Sequence, residues 1–334
     1  MRQSEYRLGV RVLKAMVAIT SNRKSLLPDL PPPLEVRSLH TDFREVERVP
    51  FPVEADGSIR VVENPAAIPT CRIAGTRAVI EGPLTALTRR ASDPRLSLWG
   101  NLGFLYRFVL FLLEKRHHIY NLHACALYQP AGHRLFVIAG GPGSGKTVYL
   151  LSGLERGLAL FSTETVHFRQ EGRHFRWFMG SLVDNVRVGT LRHHFPKFLR
   201  PDIEVPREEE WREKRVIDLS SYRWREDSLV DPELFILFPR VEKGCQSFLM
   251  HPFSDYRETA KSLFANISEK LAETVILYDR IPLPGMDREQ LAEARWTACQ
   301  DLSRHRTAAF CGAVFSGPRH CWGDFLESGF RKRR

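Results

Sequence analysis

None of the six cysteines (Cys71, Cys125, Cys245, Cys299, Cys311 and Cys321) stands in a C-x-x-C pair, which excludes the common zinc and dithiol redox motifs. Cys311, His320 and Cys321 are close in sequence but lack ligand spacing, and they read as structural. Scattered thiols with apolar neighbours predict reduced cysteines and a cytoplasmic setting. No apolar run approaches the ~20 residues that a membrane span requires. The strongest, Phe104 to Leu113, is interrupted by Arg107 and closed by Glu114-Lys115-Arg116, so it predicts a buried helix. Gly9 to Thr20 is broken by Arg11 and Lys14 and has no small-residue cleavage site, so no secretory leader is expected. Internal repeats and low-complexity tracts are also lacking, which excludes solenoid and fibrous architectures.

What is present is ordinary globular chemistry with a basic excess. Apolar residues make up 43% and charged residues 26% of 334 residues, enough for a large core and two domains. The formal charge of +10 favours anionic partners without choosing among them.

The decisive segment is Gly140-Gly141-Pro142-Gly143-Ser144-Gly145-Lys146-Thr147, a full G-x-x-x-x-G-K-[ST] match. In such a loop successive backbone N–H groups wrap polyphosphate oxygens while the lysine neutralises their charge. Its surroundings fit. Leu135 to Ala139 is an apolar run of strand length, and apolar Val148, Leu150, Leu151 and Leu154 follow at helical spacing before Gly157. Strand, loop and helix N-terminus therefore come in the order that anion binding needs. The expected ligand is ATP or GTP with Mg²⁺, since such a loop reads phosphates and not bases.

Around this segment the chain reads as two parts. Residues 1–119 form a β-rich N-terminal domain with a linking helix, and residues 120–334 form the nucleotide domain. Strands are expected at Leu34 to Arg37, Ile59 to Val62 and Ala78 to Glu81, and a helix over Leu98 to His118. Strands are also expected at Asn121 to Tyr128, Leu158 to Ser162 and Leu234 to Phe238, a hairpin over Thr165 to Phe178, and a helix over Asp287 to Asp301. Asp184 and Asn185 after Gly180 read equally as a turn or as a metal or substrate contact. Glu204 to Arg215 is a mixed-charge stretch that predicts a solvated helix face. Glu208-Glu209-Glu210 beside Trp211 argues against a nucleic-acid surface there.

These features resemble the HPr kinase family, chiefly over residues 75–245. In that family an L-H-x-S/A-x strand precedes the phosphate loop, matched by Leu122-His123-Ala124-Cys125-Ala126. Arg156-Gly157 matches the R-G that ends the following helix, and Ser162-Thr163-Glu164 stands where the family has S-D-D before a hairpin. The resemblance implies an α/β fold, a P-loop HPr-kinase-like nucleotide domain preceded by a smaller β-rich domain. It also implies homo-oligomers. In the family the paired aspartates hold Mg²⁺ and activate the acceptor hydroxyl. Here Thr163 replaces the first, and Glu164 keeps a carboxylate.

The site residues follow. Lys146 would pair with the β/γ-phosphates, Thr147 would offer its hydroxyl to Mg²⁺, and the loop amides would cradle phosphate. Glu164 is the candidate metal ligand and base, and His123 would orient it. Arg187, Arg192 and Arg240 are candidates for substrate phosphate contact. The expected activity is γ-phosphoryl transfer to a hydroxyl of a peptide, protein, small molecule or lipid. A nucleotide-binding switch with little catalysis is the alternative, and an ATPase or phosphorolytic enzyme is a further one. Arg7, Arg11 and Lys14 fall at i, i+4 and i+7, the pattern of a basic helical face that could lie on an anionic membrane. The same stretch also alternates as a strand, and the resemblance favours the strand.

Overall fold

The structure, a computed structural model, describes residues 5–30, 42–199, 205–242, 249–306, 308–315 and 322. It has a mixed α/β architecture. The chain divides into two compact units, Met1–Tyr120 with Ser268–Glu293, and Asn121–Ile267 with Ala294–Arg334. The sequence expectation kept 120–334 together, whereas residues 268–293 group with the first unit.

The first unit carries strands β1 (Tyr6–Val12), β2 (Ala15–Ser21), β3 (Val46–Val49), β4 (Gly57–Glu63), β5 (Thr70–Ala74) and β6 (Arg77–Gly82). They form one sheet in the order β3-β1-β2-β4-β6-β5. Period-2 burial explains β1, where Leu8, Val10 and Val12 are buried while Arg7 and Arg11 point outward. The basic helical face is therefore not formed. Arg11 instead pairs with Glu47 across the β1–β3 ladder, and Arg7 with Glu5. Helices α1 (Leu84–Arg90) and α2 (Phe104–His117) follow. The first eleven residues of α2 are buried, Arg107 included, which makes it a core helix. No helix among the described residues is long and apolar enough to cross a membrane.

The second unit is built on strands β7 (Tyr120–Gln129), β8 (Arg134–Ala139), β9 (Ala159–Ser162), β10 (Thr165–Glu171) and β11 (His174–Phe178). Helix α3 (Lys146–Glu155) lies between β8 and β9. Then come β12 (Val183–Arg187), α4 (Val188–His194), β13 (Lys214–Asp218), β14 (Ser228–Val230), β15 (Glu233–Val241), β16 (Leu249–Pro252) and α5 (Tyr256–Ala272). The short pair β17 (Ile276–Leu277) and β18 (Ile281–Pro282) belongs to the first unit, before α6 (Glu289–Ser303) and β19 (Ala308–Phe315). The main sheet runs β14-β11-β10-β7-β8-β15-β19-β16, with β9 also paired to β7. Strands β8, β15 and β19 are parallel neighbours. Their apolar runs are buried, as a covered parallel sheet requires.

Tyr149, Leu150, Leu151 and Leu154 of α3 pack into the core of this unit. Trp322 packs there too, its indole N–H donating to the Tyr149 carbonyl at 3.1 Å. This packing fixes the helix whose first residue is the motif lysine.

Several expectations need correction. Glu208 to Arg215 is not helical: turns lead into β13, which pairs with β12. Asp184 and Asn185 lie within β12 and not in a turn. The expected strand Leu34 to Arg37 lies outside the described residues, as do Cys245, His320 and Cys321. The four cysteines Cys71, Cys125, Cys299 and Cys311 are free thiols.

Candidate active site

Strand β8 ends at Ala139, and residues 140–145 turn the chain into α3. Gly143 (φ 80°) and Gly145 (φ 100°) both adopt the left-handed region, which L side chains avoid. This alternation of backbone hand is what turns successive N–H groups toward one point. Lys146 is 9% exposed, and its Nζ donates to the Gly140 carbonyl at 2.7 Å and the Gly141 carbonyl at 3.4 Å. The same Nζ is 3.1 Å from His123 Nε2.

His123 belongs to β7, which pairs antiparallel with β8, so the strand delivers it beside the loop. Its Nε2 stands 3.5 Å from Glu164 Oε2. The Glu164 carbonyl accepts from the Ala124 N–H at 2.9 Å, which holds the β9–β10 connection against β7. Lys146, His123 and Glu164, chosen from sequence as the catalytic set, are thus brought together in one chain of contacts. Burial pushes the Glu164 carboxyl up. The His123 hydrogen bond and the charges of Lys146, His123 and Lys214 outweigh it and leave it below the ordinary carboxylate range.

The fourth member is Asp184, 1% exposed on β12. Thr147 Oγ1 donates to its Oδ2 at 3.4 Å, while Oδ1 is buried without a hydrogen-bond partner. Burial, reinforced by Glu164's charge, pushes its carboxyl up to about 7. A buried carboxyl with one unpartnered oxygen beside a loop threonine suits a divalent cation, since Mg²⁺ takes one or two protein oxygens and completes its shell with phosphate and water. Among the described residues no three His, Cys, Asp or Glu side chains converge as an all-protein metal cage. The residues fit a cation shared with phosphate, with Thr147, Asp184 and Glu164 as protein donors.

Thr163 has another task. Its hydroxyl donates to the Val183 carbonyl at 2.7 Å and approaches that of Ser181 at 3.1 Å, and its N–H donates to Ser181 at 2.9 Å. It is 2% exposed and ties the end of β9 to the start of β12.

The three arginines differ in placement. Register Ile138↔Leu237 carries β15 past the loop, and Arg240 beyond it is 75% exposed and paired with Glu242 at 2.9 Å. Arg187 ends β12, with its guanidinium on the Trp211 carbonyl. Arg192 is committed to Glu210 at 2.7 Å and to the Val205 carbonyl at 3.1 Å, a structural pairing within the 187–214 segment.

Sequence reasoning missed two contributors. Asn266 on α5 accepts from the His123 N–H at 2.8 Å and donates to its carbonyl at 3.1 Å, clamping the residue between Lys146 and Glu164. Lys214, in register with Arg187, adds positive charge near both carboxyls. Neither carries a local signal; each is placed only by distant chain segments.

No family model matches the chain, and no curated protein matches it. Among solved structures, the Hpr(Ser) kinase/phosphatase from Coxiella burnetii is similar at a TM-score of 0.22 and 12% identity, over 40% of this chain and 76% of that one. A likeness at that level carries no functional weight beside the geometry above.

Proposed function

We propose that the protein is a nucleotide-dependent phosphotransferase, moving the γ-phosphoryl group of ATP or GTP to a hydroxyl acceptor. The observation that carries this reading is the contact chain Lys146–His123–Glu164 at the mouth of a glycine loop, with buried Asp184 against Thr147. Loop amides and the Lys146 ammonium would bind the polyphosphate tail and draw negative charge off the leaving oxygen. Mg²⁺, held by Thr147, Asp184 and Glu164, would supply charge neutralisation on the phosphates.

Glu164, ionised and close to His123, would accept the proton as the acceptor oxygen bonds to the γ-phosphorus. The bond from that phosphorus to the β–γ bridging oxygen breaks, and the nucleoside diphosphate leaves. Asn266 keeps His123, and through it Glu164, in position.

A second reading rests on Thr163. With only one acid at the strand end, the nucleotide could instead hold a conformation that recruits a partner. Incubation with γ-labelled ATP and Mg²⁺ against protein, lipid and small-molecule fractions separates the two readings. Label in an acceptor pool supports transfer, and a stable complex without turnover supports the switch. Lys146→Ala tests the shared premise: calorimetry with Mg-ATP and Mg-GTP should record at least a ~100-fold loss of affinity for whichever nucleotide binds. Unchanged binding in a folded variant refutes the assignment.

A further inference from the structure

Away from the phosphate loop, at the other end of β8, the second unit holds an open cavity of about 550 Å³. Its position follows from register. Glu233 pairs with Arg134, the first residue of β8, and the lining residue Asp231 lies just ahead of Glu233. Gly140 leaves the opposite end of the same strand, so this cavity and the candidate active site are separate.

Three segments build the cavity: the β10–β11 turn, the elbow between β14 and β15, and the chain following α6. The turn contributes Arg173 and His174, and the chain after α6 contributes Arg304, His305 and Arg306. Two acids, Asp231 and Asp301, also line it. Five basic groups against two acidic ones is an arrangement for an anion.

Asp231 is matched to the two imidazoles, and the three guanidinium groups still outnumber Asp301. Asp231 sits at φ 46°, accepts the Phe175 N–H at 2.7 Å and pairs with His174, with His305 3.9 Å away. Its carboxylate therefore holds two imidazoles at the cavity wall. Phe175 packs edge-on against the His305 ring at 5.0 Å, which fixes that imidazole from a second side. Arg304 is steadied with its guanidinium 4.4 Å over the Tyr256 ring. Pre-positioned guanidinium groups lose little freedom on binding, and they match the paired oxygens of phosphate-type anions. The volume suits a small molecule and not a protein surface.

We infer that this cavity is a second binding site, for a small, multiply charged oxyanion of the phosphate-ester class, recognised by Arg173, Arg304 and Arg306 together with His174 and His305. An occupant would bridge the hairpin, the elbow and the end of α6, three segments that already meet through Asp231 and the Phe175–His305 ring contact. Asp301 weakens anion binding, and Asp231 holds both rings at the wall.

The probe is sulfate, a doubly charged oxyanion. It is titrated by calorimetry into the full chain carrying Lys146→Ala, which disables the loop, with chloride holding ionic strength fixed. One sulfate should bind at pH 6, and at least fivefold more weakly when Arg173→Ala is added. Arg173 is an exposed turn residue, so its removal leaves the fold intact. Imidazole NMR resonances of His174 and His305 should move with sulfate and stay still in the Arg173→Ala protein. Absence of binding, a loss of affinity below fivefold in the Arg173→Ala protein, or unmoved imidazoles would each overturn the assignment.

Discussion

Thr163 shows how a buried hydroxyl at a strand end can serve the backbone. Its hydroxyl is directed at two carbonyl oxygens in a site closed to water. An aspartate there would set a carboxylate against those carbonyls, with no donor to compensate it. Thr163→Asp should therefore cost on the order of 3 kcal/mol in urea unfolding and give no rise in phosphotransfer. A variant that matched wild-type stability, or gained activity, would contradict this account of the site. Asp184 gives the complementary case. Its carboxyl is raised to about 7, whereas an unfolded aspartyl titrates near its ordinary value of 3.8. The folded protein thus holds a proton that the unfolded chain releases between those values, and stability falls as pH rises through that window. Asp184→Asn removes the slope. Without nucleotide or metal the variant should match wild type near pH 4 and exceed it by on the order of 2 kcal/mol at pH 8. Mg-nucleotide should narrow that gap by stabilising the wild type more than the variant, which keeps the loop and Lys146 but loses a metal donor. Denaturant titrations at the two pH values, with and without Mg-nucleotide, check both halves.

At the scale of elements, the parts legible in the sequence were those whose signal is local. The β8–loop–α3 unit announces itself by an apolar run, paired glycines and helical spacing, and the β10–β11 hairpin by alternation around Gly172. The Lys146–His123–Glu164 grouping was legible because all three flank one strand-loop-strand region. Asp184 was ambiguous because Gly180, Asp184 and Asn185 are turn formers by composition. Only the long-range pairing of β12 with β13 makes that stretch a strand and buries the carboxyl. Asn266 was invisible, since its partner is 143 positions away. Its two hydrogen bonds join α5 to the site strand, and losing them leaves the His123 N–H unmatched, while its carbonyl keeps the Gly140 N–H at 3.3 Å. Asn266→Ala should cost about 1–3 kcal/mol of stability. As a positioning residue, it should lower kcat more than it raises KM for nucleotide, with Asn266→Gln recovering part of the loss. Equal damage to kcat and KM, or none, would remove Asn266 from the positioning role.

For the whole molecule, the interleaving of the two units decides what can fold alone. Helices α5 and α6 each cross the division, and residues 268–293 complete the unit that residues 1–120 begin. That return segment contributes specific partners as well as surface. Arg107, 2% exposed in α2, donates to the Lys270 carbonyl and, at 2.7 Å, to Glu273. The Tyr278 hydroxyl accepts from the Leu98 N–H at 3.0 Å, and the Tyr278 N–H donates to the Leu96 carbonyl at 2.9 Å. Leu277 and Ile281 are fully buried. A fragment ending at residue 120 keeps Arg107 in an apolar helix but loses its acid partner and one of its carbonyls. An unpaired buried charge costs several kcal/mol, against a total domain stability of about 5–15 kcal/mol. The 1–120 fragment should therefore show no cooperative unfolding transition by circular dichroism, although it contains every strand of its six-stranded sheet. A sharp, reversible transition in that fragment would mean that the apolar core of α2 tolerates the unpaired guanidinium, and that residues 268–293 are an accessory to the first unit and not part of it.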